Sequence, residues 1–421
     1  MRAQVAVVGS GVAGLTAAYV LQRRYDVTLF EADDRLGGHA HTHDLVGSSG
    51  GAVRLDTGFI VHNERTYPNL LRLFSELGVA TQDSEMSMSV RCEGCGLEYA
   101  GGRKLRGLAA DPRNLVRPRY LAMLAEITRF HREARQVLSA GAEHSDELTL
   151  GRFLAAGGYS TYFVDHFMLP LVSAVWSTGP RVSAQQPARS LFQFFDHHGM
   201  LSVGGSPRWR TVVGGSRNYV DKAAARLSSV RISTPVRTVS RGFGAVEIRD
   251  HADCVHLFDR AVIATHAGAA LGMLADPSVA QKEILGAFTC ARNEAWLHTD
   301  GSVLPRRPGA RASWNYLKAT CSGQEVKPLM SYDLNRLMRL DEQTNYVVTL
   351  NGSGRLNDSR VIAKMSYEHP VFTPESVAAR GRLPGISDET LAFAGAYHGW
   401  GFHEDGCAAG VRAAASLGAR W

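Results

Sequence analysis

The sequence is poor in the features that would make it a secreted, membrane-spanning or nucleic-acid-binding chain. It holds six cysteines in 421 residues, which is no disulfide framework, so a reduced chain is expected. Cys92 and Cys95 form a C-x-x-C, but no second pair follows at the spacing of a zinc site. The expectation there is a turn through Gly94 and Gly96, with no metal. No stretch approaches the ~20 apolar residues of a membrane span. Met1-Arg2 and the apolar run after them resemble a leader until Gly9, Gly11 and Gly14 interrupt the run, and no small-residue cleavage site follows. A cytoplasmic location is therefore expected. There is no internal repeat. The net charge of +6 comes with no nucleic-acid module and no basic strip interleaved with aromatics, so nucleic acid is excluded as a partner. Much of the basic excess lies between Arg103 and Arg135. Its bland reading is a solvated face, and its sharper one is attraction to an anionic membrane surface.

What is present begins at the first residues. Val5 to Val8 is a short apolar run of the kind buried in a parallel sheet. Gly9, Gly11 and Gly14 then give G-x-G-x-x-G, Leu15 to Arg23 reads as a helix, and Val27 to Phe30 reads as a second strand closed by Glu31. Gly9 permits the tight turn, Gly11 lets a pyrophosphate approach the backbone, and Gly14 lets the helix lie on the sheet. The helix start, Ala13 included, offers free N–H groups and a positive dipole end. Glu31, about 20 residues on, can accept from ribose hydroxyls. Strand, glycines, helix, strand and acid in this order predict dinucleotide binding.

The next residues, "EADDRLGGHAHTHDL", carry Arg35, Gly37, Gly38 and three alternate histidines, His39, His41 and His43. Three imidazoles on one strand face could hold a metal. No carboxylate or cysteine is placed to complete such a set, and no metal is expected. The run resembles the extended FAD fingerprint of the glutathione-reductase-like flavoproteins, especially the amine oxidase and phytoene desaturase superfamily. That resemblance places His39 as the basic neighbour of the pyrophosphate or ribose. It implies non-covalent FAD, because the region near Tyr367 to Phe372, where relatives often attach flavin to cysteine, has none.

Further segments carry the same resemblance. "RLDTGFIV" resembles the segment beside the isoalloxazine ring, with Asp56, Gly58, Phe59 and Ile60 at its positions and Phe59 replacing a glycine. "TVVGGSRNYV" resembles a G-G segment that leads into a helix on the FAD domain. Val236 falls where backbone groups meet adenine. Thr265, followed by His266, matches an A-T-G segment. Gly395 matches a segment near the ribityl chain, and the helix start around Glu404 and Asp405 would aim its N–H groups at flavin O2 or a phosphate. The whole set resembles a bacterial group described as predicted NAD/FAD-binding oxidoreductases, often associated with cyclopropane-fatty-acid-synthase-type methyltransferases. No second G-x-G-x-x-G supports a separate NAD(P)H domain.

The fold expected is α/β: a glutathione-reductase-like, Rossmann-type FAD-binding domain from 1–85, 205–270 and 385–421, with a discontinuous substrate domain of mixed sheet plus helices from 86–204 and 271–384. Helical periodicity predicts helices in "RYLAMLAEITRFHREARQVL" and "TLGRFLAAGG", and alternation predicts strands in "NEAWLHT" and "NYVVTLN". "YFVDHFMLPLVSAVWS" reads as a buried helix or as one wall of an acyl-chain tunnel. Candidate acid/base groups are His403, which titrates near neutral pH in its ordinary state, then Glu404, Tyr316 and His62. Trp314 and Trp400 read as core packing or as walls of the flavin ring. The resemblance implies FAD-dependent oxidation or desaturation of an unsaturated acyl chain of a fatty acid or phospholipid. Two alternatives stay open: a redox-neutral double-bond isomerase and a small-molecule amine oxidase. A methyltransferase of the cyclopropane type is a further expected partner.

Overall fold

Five short parallel strands form the sheet that organises the N- and C-terminal parts of the chain. In spatial order they are Ser229–Arg231, β2 (Asp26–Phe30), β1 (Gln4–Val8), Arg260–Ile263 and Leu391–Phe393. The computed structural model describes residues 2–140, 148–242, 244–322 and 327–421. β1 and its neighbours are apolar on both faces because both faces are covered. On one side lie α1 (Val12–Leu21) and the C-terminal helix His403–Ser416. On the other, a three-stranded antiparallel sheet of Val236–Gly242, Ala245–Asp250 and Val255–Phe258 shares a core with Phe30 and Ile263.

α1 and the C-terminal helix touch at backbone distance. A Cβ at Gly410 would sit 2.3 Å from Ala13 O, and one at Gly406 would sit 2.7 Å from Val12 Cγ1. Glycines one helical turn apart therefore share a face and admit α1. Helix Pro68–Leu77 buries Leu70, Leu73, Phe74 and Leu77 beside them, each worth roughly 1.5–3 kcal/mol of burial. Gly78 ends that helix at φ 62, the left-handed stop that glycine supplies without steric penalty.

The second region is built on a seven-stranded sheet. Its order is Val361–Val371, Thr289–His298, Val347–Leu350, Leu329–Asp333, Trp314–Lys318, Met88–Cys92 and Leu97–Gly101. All neighbours are antiparallel except Trp314–Lys318 and Met88–Cys92, which run parallel. Helices Pro118–Ser139, Leu150–Ala156, Leu169–Trp176 and Ala188–His197 close its core. The apolar stretch from residue 161 is helical and buried, with a π-helical turn at Val164–Met168. Segments given above to the second region differ at their edges. Ile284, Leu285, Ala379 and Leu383, in helices Val279–Gly286 and Pro374–Arg382 and the turn that follows, pack into the core of the parallel sheet. Surface helices of this kind carry no marker of which sheet they cover. Among the described residues, no helix is long and apolar enough to cross a membrane.

Candidate active site

The first turn is built as its glycines require. Gly9 adopts φ 99, and a Cβ there would meet Ala264 O at 2.7 Å. A Cβ at Gly14 would lie 1.8 Å from Gly9 O, while one at Gly11 would meet nothing within 4 Å. α1 begins at Gly11 with no side-chain cap, so the amides at its start are left for a ligand. Gly37 and Gly38 take φ 105 and φ 57, and they fold back onto this turn. Gly37 N donates to Ser10 Oγ at 3.1 Å, and Arg35 Nη1 donates to Gly38 O at 2.8 Å.

Glu31 is tied to the same turn. Its carboxylate accepts from Ser10 N at 2.9 Å and from Ser10 Oγ, and also from Asp33 N at 2.9 Å. Thr234 N donates to Glu31 O at 2.8 Å, which draws Val236 and its strand toward this end. Val236 packs against the core of Phe30. Thr265 Cγ2 lies against Gly9, 3.2 Å from where a Cβ would stand. Ser10 was missed in the sequence because it sits between fingerprint glycines and carries no motif of its own.

Asp56 joins two of the expected segments. It is buried and accepts from Thr42 Oγ1 at 2.6 Å, from Ser216 Oγ at 2.8 Å and from Ser216 N at 2.9 Å. Burial outweighs those bonds and raises its pKa to about 6. The carboxylate thereby pins the end of strand Ala52–Asp56 to the Gly214-Gly215-Ser216 turn. Past it, Phe59 N donates to His39 O at 2.7 Å, and a Cβ at Gly58 would meet that oxygen at 2.2 Å. The Ile60 carbonyl accepts from Thr211 Oγ1 at 2.8 Å.

The three alternate histidines do not act as one set. His41 and His43 pair at 4.2 Å between ring centroids, while His39 faces Tyr367 at 5.0 Å and His369 at 5.7 Å. Burial, then the nearby His369, His266 and His403, hold His39 well below its ordinary pKa. Tyr367 Oη lies 2.8 Å from Thr57 Oγ1 and 3.1 Å from His41 Nδ1. Tyr367 and His369 were not selected from the sequence, since strand alternation alone could not show that their face meets His39.

His403 also departs from its expected state. Its ring stacks on Phe59 at 3.7 Å and 11°, and its Nε2 lies 3.1 Å from Tyr219 Oη. Burial, with a smaller push from His62, lowers its pKa to about 3. Burial also holds the Tyr219 hydroxyl well above its ordinary value, so both partners of that bond are uncharged. His403 therefore does not titrate near neutrality. His62 is buried, with both nitrogens unpartnered, against Phe74 at 5.3 Å. Burial, then Arg210, lowers its pKa to about 4.

Glu404 caps another helix. Its carboxylate accepts from Asn69 N at 3.1 Å, from Asn69 Nδ2 at 2.6 Å and from Leu70 N at 3.0 Å. That commits it to the first turn of Pro68–Leu77 and removes it as a free acid/base group. Asp405 accepts from Phe402 N at 2.9 Å, closing its own helix start, and burial raises its pKa to about 6. Tyr316 is buried in the seven-stranded sheet, paired with Val90 and Met330, a core position. Gly395 admits the Tyr397 ring, which a Cβ would meet at 2.3 Å. Trp400 Nε1 donates to Ser190 O at 3.1 Å, and Trp176 Nε1 donates to Trp400 O at 3.0 Å.

The residues fit a dinucleotide at the first turn: uncapped amides, open space at Gly11, a carboxylate at the end of β2 and glycines wherever a Cβ would block the chain. Residues 12–331 match the family model for flavin containing amine oxidoreductases. The fold is also that of solved structures of low sequence identity. Cyclohexylamine oxidase from Brevibacterium oxydans IH-35A superposes with a TM-score of 0.72 at 15% identity, over 99% of each chain. Putrescine oxidase bound to putrescine gives 0.70 at 16% identity, over 99% of each chain. A fatty acid isomerase from P. acnes, described as producing CLA, gives 0.69 at 15% identity, over 97% of each chain. With its first turn shaped for a dinucleotide and most of its length matched, the chain belongs to the flavin containing amine oxidoreductase family and is an FAD-dependent oxidoreductase.

Proposed function

We propose that the protein oxidises or desaturates an unsaturated acyl chain of a fatty acid or phospholipid, taken from an anionic membrane surface that it touches peripherally. The observation that carries this reading is an exposed stretch at residues 105–121. Leu105 is 80% exposed and Val116 79% exposed, with Leu115 and Leu121 also exposed, and Arg106, Arg113 and Arg119 interleave with them on the outside. Apolar side chains among cations suit an interface of acyl chains and anionic headgroups.

The surroundings of the last helix support an apolar substrate. Phe402 stacks on Phe194 at 4.9 Å and meets Trp176 at 6.4 Å, while Phe194 meets Trp400 at 6.1 Å. The carboxylates of Glu404 and Asp405, which could have attracted an ammonium group, are spent on backbone donors. Bound FAD would supply the hydride acceptor; the acyl chain would give up a hydride to it and a proton to solvent and gain a double bond, with oxygen or an electron carrier as final acceptor. Gly9 to Gly14, Gly37, Gly38 and Glu31 would hold the pyrophosphate and ribose, and Gly58 to Ile60 with Thr57 and Tyr367 would border the ring. Neutral His403, braced by Tyr219 and Phe59, orders this wall and stays uncharged at neutral pH.

A redox-neutral double-bond isomerase is the second reading, favoured by the fold shared with the fatty acid isomerase. Turnover on anionic vesicles decides. With unsaturated phospholipid vesicles the wild type should sediment and consume oxygen, and Leu105→Asp with Val116→Asp should weaken both at least tenfold while leaving turnover of a detergent-dispersed fatty acid intact. Product of unchanged oxidation level formed without oxygen uptake assigns isomerisation. Turnover of amines with indifference to lipids refutes both lipid readings.

A further inference from the structure

The C-x-x-C that stands alone in the sequence is not alone in space. Cys92 ends strand Met88–Cys92, Cys95 lies in the hairpin turn after it, His166 comes from the π-helical turn, and Cys321 follows strand Trp314–Lys318. His166 is 71 residues from Cys95, and Cys321 is 229 from Cys92, so no local spacing could reveal the set. The four donor atoms all lie within 4.8 Å of one another.

Two of their separations match the edges of a metal tetrahedron. Thiolate bonds of about 2.3 Å and an imidazole bond of about 2.0 Å put sulfur about 3.8 Å from sulfur and about 3.5 Å from nitrogen. Cys92 Sγ is 3.8 Å from Cys321 Sγ, and Cys95 Sγ is 3.6 Å from His166 Nε2. The histidine is also set in the right tautomer. His166 Nδ1 lies 3.2 Å from Tyr162 O, which can only accept, so Nδ1 carries the proton and Nε2 points a lone pair into the cluster. This is the usual outer support of a metal-bound imidazole. Stacking on Tyr162 at 4.2 Å and the bond from Tyr99 Oη to His166 O at 2.8 Å hold the ring and its backbone.

The turn is shaped for the same purpose. A Cβ at Gly94 would stand 2.9 Å from Cys321 N and 3.2 Å from its Sγ, so only glycine lets the third cysteine in. Gly96 reverses the chain at φ 67. Buried Lys318, in register with Cys92, places a cation beside a cluster whose three thiolates would exceed the charge of a divalent ion. We propose that Cys92, Cys95, His166 and Cys321 form a structural zinc site. Four protein ligands leave no open position, which makes the site a clamp and not a catalytic centre. It ties the buried helical stretch 161–176 to two strands of the seven-stranded sheet. The expectation of a bare turn at Cys92–Cys95 is thereby replaced.

The test is metal content of the untagged holoenzyme, purified without chelators. Mass spectrometry of the metal should find about one zinc per chain, and Cys321→Ser and His166→Ala should each lower it to about a tenth or less while Cys290→Ser, outside the cluster, keeps it. Cells grown on cobalt in place of zinc should give wild-type protein with tetrahedral cobalt ligand-field bands and a thiolate-to-cobalt charge-transfer band, a readout that needs no variant to fold. Wild-type protein that carries no stoichiometric zinc and takes no cobalt overturns the site. So does a disulfide mapped among Cys92, Cys95 and Cys321, or full metal content in both ligand variants.

Discussion

Asp56 shows how one buried side chain joins two distant segments. Its carboxylate gathers the hydroxyls of Thr42 and Ser216 and the Ser216 amide in a buried place. Asp56→Ala leaves those donors unpaired and should cost about 3 kcal/mol of stability, read as a lower urea midpoint with loss of bound flavin. His403 tests a different point. Because burial drives its pKa to about 3, the pH profile of kcat/KM should carry no inflection from it near neutrality. His403→Phe, which keeps the stack on Phe59, should retain the wild-type profile shape; an inflection that disappears in this variant would restore it as an acid/base group. The sequence could name His403 as a residue but not its charge state, because the desolvating neighbours Phe59 and Tyr219 come from distant segments.

At the scale of elements, the contact between α1 and the C-terminal helix carries the architecture. Gly410→Ala would put a methyl 2.3 Å from Ala13 O and should destabilise the protein by about 1–3 kcal/mol, with flavin affinity falling because α1 shapes the first turn. Flavin is expected to stay non-covalent: acid precipitation should leave it in the supernatant, and a yellow pellet would contradict that. Much of this layer was legible. β1, α1 and β2 could be drawn from glycine spacing and apolar runs, and helix Pro118–Ser139 from its periodicity. The edges of the two regions were not legible, since Val279–Gly286 and Pro374–Arg382 bury small apolar faces that either sheet could have received. Glu404 as an acid/base group was misread for a related reason. A carboxylate at one helix start looks free until the neighbouring helix Pro68–Leu77 is seen to lack a cap of its own.

For the whole molecule, buried histidines set the response to acid. His131, His198 and His298 are all lowered by burial to about 4 from 6.5, and His62, His369 and His403 are lowered as well. A depressed pKa contributes stability that is complete above pH 6.5 and is lost as pH falls toward the folded value. Asp56 and Asp405, raised to about 6 from 3.8, act in the opposite sense, with stability lost as pH rises through 6. The histidines outnumber them, so the holoenzyme should melt at lower temperature at pH 5 than at pH 7; a Tm that is flat or rises on acidification would contradict this balance. The chain also exposes apolar and cationic side chains along 105–121 and holds a cluster of aromatic rings at its last helix, and together these suggest the proposed substrate. The most direct measurement is the flavin absorbance of the purified holoenzyme, mixed without oxygen with anionic vesicles of unsaturated phospholipid and, separately, with small amines. An acyl-chain oxidase requires that the lipid bleach the flavin and that the amines leave it yellow. Bleaching by amines alone would contradict it.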